Sequence, residues 1–572
     1  MVHDDAICYV RKPLMKFCTC LLLAAATLLA SPAFAQLTAV DVQNIINRAV
    51  ARAVRISPNS VIAVTDREGY VLVVWVVRGG AATPGEIATA VSKAGTAAYL
   101  SSNQNAFTSR TAGFIIQQHF PPGVNNTSTG PLVGVGLSNL FVSDVNRFKK
   151  TDLVPCPPAV PPAIQSPGTL GSPITFTSLD GSPGGVPLYK RGALVGGIGV
   201  TGDGTPQPAV PFVPTPPVAV LPPCITVPLV GIARDENPFI FIGGYDKDED
   251  VALAGQKGFA PSSGITANNV FINGIRLPYT ASSTRRSRRI ALHGNADPQF
   301  PIQGPPAPFP YVISTFGGVT GQIRQPIMAD PLPGTIDGQP RLSAADVSDV
   351  IKFAAQRVKI TRAGIRLPIG TQMQVFITVV NNPNTDGVAP IVLGTFRTGE
   401  ATLFSWDVAV QKARTAIFYS RHDFIGFGFD VAMSTRAVGF LAQSFYPPGI
   451  DGTPSGPFFT EQDKLSGFAG AEPNVTFTAK LDTTPPGSPP LRNGLRTDLP
   501  NGITIFPGGF PLYRNGVMIG AIGISGDGVD QDDIVGASGT HDFLAPMPIR
   551  SDEFFFRGTR LPYAKFPRDP GL

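Results

Sequence analysis

Apolar residues recur at helical spacing in two separate stretches of the chain, and each stretch begins beside a hydroxyl residue. The first covers residues 37–56 with Thr38 near its start, and the second covers residues 342–358 with Ser343 near its start. Threonine and serine side chains accept the free N–H groups at the beginning of a helix. The pattern therefore predicts one capped helix at the start of each half of the chain.

Each predicted helix is followed by short apolar runs bounded by turn residues, which are typical of strands. In the first half these runs are residues 61–65 and 70–77, and in the second half they are residues 375–380 and 388–396. The links between the runs contain Asp and Gly, which favour turns. Each half is thus predicted to continue with a pair of strands.

A second helix is predicted over residues 84–100, an alanine-rich run with a proline in its first turn. Its core, S-K-A-G-T-A, recurs in the second half as Q-K-A-R-T-A, so that Lys93 matches Lys412 and Thr96 matches Thr415. A lysine on a helix usually extends its ammonium group toward solvent. Its recurrence in both halves nevertheless makes this lysine a candidate binding residue.

A third helix is predicted where residues 110–123 match residues 436–449, because both stretches are helix-like and both end in Pro-Pro-Gly. The two copies differ shortly before that stop. His119 of the first copy is replaced by Phe445 in the second.

The longest match in the chain is a glycine-rich stretch, which reads P-G-G-V-P-L-Y-K-R-G-A-L-V-G-G-I-G-V-T-G-D-G at residues 183–204 and P-G-G-F-P-L-Y-R-N-G-V-M-I-G-A-I-G-I-S-G-D-G at residues 507–528. Arg191-Gly192 and Asn515-Gly516 lie between two apolar runs, where a two-residue hairpin turn requires positive φ angles. The second strand of each hairpin is apolar on both faces, and its glycines leave room for a packed helix or a ligand.

These matches predict two tandem domains with one fold, residues 37–279 and 342–563, joined by a Pro-rich linker at residues 280–341. The first domain carries a further Pro-rich insertion at about residues 205–244. Paired antiparallel strands that alternate with helices predict an α+β class, with an antiparallel sheet covered by helices and long Pro/Gly-rich loops.

The N-terminus has the pattern of a secretory signal. Lys16 precedes an apolar run, and Ala33-Phe34-Ala35 resembles a cleavage site before Gln36. Residues 1–35 are therefore predicted to be a signal peptide with Met15 as the better translation start, and the protein is predicted to be exported to the periplasm or the medium. No later run predicts a membrane span.

Two cysteines remain after the predicted cleavage, Cys156 and Cys224, and both are flanked by prolines. In an exported protein they are predicted to form one disulfide, with two free buried thiols as the alternative.

The net charge of +5 is small for 572 residues. It does not indicate a nucleic-acid partner.

The order of these motifs resembles the GlcG/HbpS family, on the strand run V-I-A-V-T-D-R-E-G-Y-V-L-V, the helix core S-K-A-G-T-A and the glycine hairpin with G-G-I-G-V-T-G-D-G. The resemblance covers most of both copies but not the Pro-rich insertions. It implies small α+β domains that tend to oligomerise and are described as haem-binding or haem-degrading. Two copies in one chain suggest an internal pseudo-dimer that replaces an interface between subunits, and a homo-oligomer remains open.

A ligand site inherited through duplication is expected to use positions that recur. These are the glycine hairpins and the K-A-x-T-A helices, with His119 added as an unrepeated candidate: Gly184, Gly185, Tyr189, Lys93 and Thr96 in the first copy, and Gly508, Gly509, Tyr513, Lys412 and Thr415 in the second. Since the chain has no C-x-x-C-H motif, any haem is expected to be non-covalent, with histidine or tyrosine among its axial ligands.

Two other kinds of site are disfavoured. The acidic groups at residues 246–249 and 530–533 are explained by the dipole of the helix that they begin, so no metal site is predicted. The G-I-S-G-D run lacks the second glycine of a nucleophile elbow, so no catalytic residue is predicted.

The preferred interpretation is an exported protein that binds a small planar or hydrophobic ligand, with haem as the first candidate. The alternatives are a non-catalytic assembly module that has lost its pocket and, more weakly, an enzyme acting on haem or a small acid.

Overall fold

The computed structural model describes residues 35–117, 119–133, 148–152, 174, 177, 179–204, 244–282, 292–308, 311–368, 370–421, 426–443, 445–459, 499 and 503–565. The predicted signal peptide before Ala35, the Pro-rich insertion, Cys156 and Cys224 lie outside these residues.

The first domain contains the elements that the pattern predicts, in the predicted order. Its helices are α1 (Ala39–Ile56), α2 (Pro84–Leu100), α3 (Ser109–Ile115) and α4 (Lys247–Gln256), and its strands are β1 (Val61–Asp66), β2 (Val71–Val76), β3 (Gly185–Lys190), β4 (Ala193–Thr201), β5 (Phe271–Ile272) and β6 (Ile275–Arg276). Thr38 caps α1, and its hydroxyl accepts a hydrogen bond from the N–H of Asp41.

The second domain repeats this order. Its helices are α5 (Ala344–Ile360), α6 (Phe404–Ser420), α7 (Thr435–Leu441) and α8 (Val529–Gly539), and its strands are β12 (Val375–Asn381), β13 (Val392–Thr398), β14 (Gly509–Arg514), β15 (Val517–Gly526), β16 (Phe555–Phe556) and β17 (Thr559–Arg560). Ser343 caps α5 as predicted.

The segment predicted as a linker contributes strands to both domains. It holds β7 (Asn295–Ala296), β8 (Val312–Phe316), β9 (Val319–Gln325), β10 (Thr335–Ile336) and β11 (Gln339–Pro340). Strand β7 pairs with β2 at the edge of the first sheet, whereas β9 pairs with β13 and extends the second sheet. This part of the chain therefore joins the domains by pairing with their sheets as well as by connecting them.

Both main sheets are antiparallel and share one strand order. The first sheet runs β3-β4-β1-β2-β7 and the second runs β14-β15-β12-β13-β9-β8. The first four strands correspond in the two sheets, so the two halves are copies of one α+β fold.

The predicted hairpin turns are present in both copies. Arg191 and Gly192 have φ angles of 54° and 81°, and Asn515 and Gly516 have φ angles of 48° and 84°. Two successive positive φ angles fit the type of turn that matches the twist of a hairpin.

The glycines of β4 and β15 make room for a helix, which was one of the two alternatives that the sequence left open. A Cβ atom added to Gly197 would lie 2.1 Å from the carbonyl oxygen of Ala94 in α2, and one added to Gly523 would lie 2.0 Å from that of Ala409 in α6. Because backbone meets backbone here, no ligand fits between helix and strand at these two glycines.

The two domains contact each other through polar and aromatic side chains. Glu68 of the first domain accepts a hydrogen bond from Arg397 of the second at 2.9 Å. Tyr99 at the end of α2 stacks against Phe404 at the start of α6, with ring centroids 6.5 Å apart.

None of the helices in the described part of the chain has both the length and the apolar character needed to cross a bilayer.

Candidate functional site

The recurring lysines lie inside the domains, where each meets an aspartate. Lys93 Nζ lies 3.3 Å from Asp248 Oδ2, and Lys412 Nζ lies 2.9 Å from Asp532 Oδ2. Lys93 is 2% exposed and Lys412 is 1% exposed. The expectation that such a lysine extends toward solvent is therefore wrong, because helices α2 and α6 are covered on the face that carries it.

A second ion pair recurs beside the first. Arg110 Nε donates to Glu249 at 2.7 Å, and Arg436 Nε donates to Asp533 at 2.8 Å. The acidic starts of α4 and α8 thus face the buried Arg110 and the half-buried Arg436 of neighbouring helices, in addition to any effect of the helix dipole. Within the described residues no cluster of side chains suited to a metal ion is present.

The predicted glycines lie directly against these lysines. A Cβ atom on Gly185 would lie 2.1 Å from the carbonyl oxygen of Lys93, and one on Gly508 would lie 3.1 Å from Lys412 Nζ. Gly184 and Gly509 approach the same two lysines. The structure therefore brings together the hairpin glycines and the helix lysines that the sequence selected.

The recurring threonines act on the backbone. Thr96 Oγ1 accepts a hydrogen bond from the N–H of Asp180 at 2.7 Å, and Thr415 Oγ1 accepts one from the N–H of Thr504 at 3.1 Å. Both bonds hold the segment that leads into the glycine hairpin. Each threonine therefore supports the hairpin from the neighbouring helix.

The two tyrosines lie apart from the lysines, farther along their strands. Tyr189 donates a hydrogen bond to the carbonyl oxygen of Ser102 at 2.6 Å. Burial raises the pKa of Tyr189 and of Tyr513 far above the ordinary value. Since an iron-bound tyrosine is a phenolate, this environment disfavours both residues as axial ligands.

His119 joins the two domains. Its Nε2 atom lies 3.0 Å from Asp451 Oδ1 of the second domain, and the side chain is 24% exposed. The hydrogen bond from His119 lowers the pKa of Asp451 below its ordinary value, and the backbone N–H of Asn126 adds to this effect. In this arrangement Nε2 of the imidazole is engaged by a carboxylate.

The copies diverge at the aspartate of their Gly-Asp-Gly turns. In the first domain Asp203 is half-buried and accepts hydrogen bonds from Asn59. In the second domain Asp527 is fully buried and accepts a hydrogen bond from Arg366 Nε at 2.9 Å. Arg366 lies between α5 and β12, in a stretch longer than that between α1 and β1.

This divergence accompanies a difference at the lysine-bound carboxylates. Asp248 is satisfied on both oxygens, because Oδ2 also accepts the N–H of Gly202 at 3.2 Å and Oδ1 accepts the N–H of Gly204 at 3.1 Å. Asp532 Oδ1 is buried and has no hydrogen-bond partner among the described residues. In the first copy both oxygens of this carboxylate accept hydrogen bonds, whereas in the second copy Oδ1 of Asp532 accepts none from the described residues.

Asp532 is one of the residues that line a cavity between the domains with a volume of about 30 Å³. Thr402 also borders it, and its buried Oγ1 likewise has no partner in the described part of the chain. The remaining walls are mostly apolar and come from both domains: Leu100, Phe107, Ile115, Leu132, Phe404 and Phe506.

Burial shifts the pKa values of Asp532 and Lys412, which line one end of this cavity. Desolvation raises the pKa of Asp532 to about 6, and the attraction of Lys412 opposes this rise without cancelling it. Desolvation also lowers the pKa of Lys412, against the attraction of Asp532. The pair is therefore a buried acid and base whose proton affinities have moved toward each other.

Sequence comparison of the two copies missed Arg366 and Thr402. Arg366 has no counterpart in the first domain, so a search for recurring positions passes over it. Thr402 does recur as Thr83, which caps α2, but nothing in the pattern indicates that it faces a cavity. The pairing of Lys93 with Asp248 could have been predicted from the sequence, because both residues recur in the second copy.

Two segments of the chain, residues 37–208 and 371–541, match the family model described as haem degrading protein HbpS-like. No curated protein sequence matches the chain.

Several solved structures are similar to parts of the chain. A PduOC:haem complex has 18% identity, with 36% of this chain and 98% of that chain covered and a TM-score of 0.22. The protein ORFY of Klebsiella pneumoniae has 16% identity, with 38% and 96% covered and a TM-score of 0.21. An HbpS double mutant of Streptomyces reticuli has 14% identity, with 38% and 96% covered and a TM-score of 0.20.

Proposed function

The chain belongs to the family of haem-degrading HbpS-like proteins, and we propose that it is a non-covalent small-ligand-binding protein whose site is the cavity between its two domains. The observation that carries this proposal is that two residues lining this cavity, Asp532 and Thr402, each hold a buried side-chain oxygen, Oδ1 and Oγ1, that has no hydrogen-bond partner among the described residues. A buried polar atom without a hydrogen bond is costly, so an occupant that supplies one is favoured.

Haem is the ligand that the family description suggests, but the described residues do not fit it in this arrangement. A cavity of about 30 Å³ is far below the roughly 300 Å³ at which pockets for organic ligands begin. Two of the three proposed axial ligands are also engaged, since His119 Nε2 is held by Asp451 and Tyr189 donates to a buried carbonyl. Haem binding through Nε2 of His119 would first require the loss of the contact with Asp451.

The second candidate function is a non-catalytic assembly module, and the first domain favours it. The carboxylate of Asp248 is satisfied on both oxygens by Lys93 and two backbone N–H groups. No polar atom of this ion pair is left to recognise a ligand. We propose that the first domain has become the structural partner and that the second domain keeps the binding groups.

We also propose that the protein is exported, on the strength of the N-terminal signal pattern alone. N-terminal sequencing of the protein recovered from its native cell should begin at Gln36. Recovery of an intact N-terminus from the cytoplasm would contradict export.

The binding function is tested by filling the cavity. Val408 on α6 lines the cavity and is buried. A Val408→Phe variant should lose the saturation-transfer NMR signal of small hydroxyl compounds that bind the wild-type full chain. The matched control is Thr89→Phe, which adds the same ring at the corresponding position of the other copy. Equal binding by wild type and Val408→Phe would exclude this cavity as the site.

A haem titration of the full chain should accompany the experiment with Val408→Phe. We expect the Soret band to be the same for wild type and His119→Ala. A Soret band that depends on His119, and that strengthens in Asp451→Asn, would replace the cavity proposal with haem binding at the domain contact.

A further inference from the structure

The charged groups that border the cavity are already neutralised by neighbours. The ammonium group of Lys412 pairs with Asp532 at 2.9 Å, and the guanidinium group of Arg366 pairs with Asp527 at 2.9 Å. Two positive and two negative groups therefore balance at one end of the cavity. A charged ligand would enter this buried space without a free counter-charge, which is strongly unfavourable.

From this balance we infer that the cavity recognises a small, uncharged molecule that carries a hydroxyl group. This inference rests on the proposed function, since it names the class of ligand for the same cavity. The hydroxyl hydrogen would be donated to Asp532 Oδ1, and Thr402 Oγ1 would complete the contact from a second position on the wall.

The need for a donor follows from the chemistry of the carboxylate. An ionised aspartate only accepts hydrogen bonds. Asp532 Oδ2 accepts from Lys412, which leaves Oδ1 of this cavity-lining residue as an acceptor without a partner among the described residues. A threonine hydroxyl both donates and accepts. A hydroxyl-bearing ligand satisfies both atoms, whereas a ligand with acceptor atoms alone leaves Asp532 unsatisfied.

The volume and the apolar walls of the cavity limit the non-polar part of the ligand. The volume of about 30 Å³ has room for roughly two water molecules, at about 10–15 Å³ each. Leu100, Phe107 and Ile115 from the first domain offer an apolar surface to the non-polar part. A short-chain alcohol matches this combination after a small movement of the walls.

The test uses four small probes on the methyl-labelled full chain. These are ethanol, acetonitrile as a neutral probe of similar size that only accepts, methylammonium and acetate. NMR shifts of the methyl groups of Leu100, Ile115 and Val408 report occupancy of the cavity itself. We expect ethanol to bind about tenfold more tightly than acetonitrile above pH 7, because acetonitrile cannot satisfy Asp532 Oδ1. The two charged probes should leave these methyl groups unshifted.

The Asp532→Asn variant gives a result that a merely structural role would not produce. Lys412 should attract the amide oxygen of the new side chain, so its NH₂ group should face the cavity as a donor. The preference for ethanol over acetonitrile should then disappear or reverse. Asp248→Asn, the same substitution in the other copy, should keep the wild-type preference.

A second, milder variant protects the test if Asp532→Asn fails to fold. Thr402→Val removes the hydroxyl and keeps the shape, and it should weaken ethanol binding several-fold. Its matched control is Thr65→Val, because Thr65 Oγ1 is also buried without a partner among the described residues but does not line this cavity.

The outcomes separate the inference from the function it rests on. Equal binding of ethanol and acetonitrile at the cavity methyl groups would overturn the hydroxyl inference and keep the proposed binding function. Tighter binding of methylammonium or acetate would also overturn it. No shift of these methyl groups by any probe would contradict both.

Discussion

Arg366 donates a hydrogen bond through Nε to Asp527 Oδ1 at 2.9 Å, inside the second domain, whereas the matching aspartate of the first domain, Asp203, is half-buried and accepts from Asn59. The same guanidinium group donates to the carbonyl oxygen of Ser101 in the first domain, also at 2.9 Å. One residue without a counterpart thus pairs with the Gly-Asp-Gly turn of its own domain and binds the other domain.

The first prediction concerns this contact. Arg366→Met should lower the free energy of unfolding by about 3–5 kcal/mol at pH 7, because it leaves the buried carboxylate of Asp527 without its partner. Arg362→Met is the control, since Arg362 is exposed and its loss should change the free energy by less than about 0.5 kcal/mol. Urea unfolding measures both. Equal unfolding midpoints for the two variants would mean that Arg366 does not neutralise Asp527.

The second prediction concerns pH. Burial raises the pKa of Asp532 to about 6, while an unfolded aspartate titrates near 3.9. The folded state therefore binds this proton more tightly, and the resulting stability is present below about pH 4 and is lost as the pH rises to about 6. Compared with Asp532→Asn, wild type should lose up to about 3 kcal/mol across this range. Parallel pH profiles for the two proteins would contradict the raised pKa.

The third prediction concerns the contact between helix and sheet. Gly523→Ala should destabilise the protein by about 1–3 kcal/mol, because the new methyl group would lie 2.0 Å from the carbonyl oxygen of Ala409. Gly85→Ala is the control, since a Cβ atom there has no neighbour within 4 Å. It should be neutral or stabilising, because alanine favours the helix. A harmless Gly523→Ala would show that α6 can move away from β15.

The sequence predicted much of the fold because its signals are local. The caps Thr38 and Ser343 and the turn at Asn515 depend on a few neighbouring residues, and duplication displayed each signal twice. The candidate site was harder to predict. Lys412 and Asp532 are far apart in the chain, and their pairing depends on how α6 and α8 each pack against β15.

The cavity could not be predicted from the repeat at all. Leu100 and Phe404 come from different domains, and their contact depends on how the two copies pack together. A search for recurring positions selects what the copies share, whereas Arg366 and the open oxygen of Asp532 distinguish them. Tyr189 recurs for a packing reason, since its hydroxyl group bonds a buried carbonyl.

The fourth prediction concerns Cys156 and Cys224, which lie outside the described residues. Peptide mapping without reduction should recover them as one disulfide-linked pair. Replacing both with serine should lower stability by about 4 kcal/mol in the chain-entropy model for a loop of this length. Quantitative labelling of both thiols in the unreduced, unfolded protein would exclude the bond.

If the cavity between the domains binds a ligand through Asp532 and Thr402, a crystal of the mature chain soaked in ethanol should show an ethanol molecule there. Its oxygen should lie about 2.5–3.0 Å from Asp532 Oδ1. A cavity that holds only water at saturating ethanol, or ethanol bound beside His119 instead, would rule this binding out.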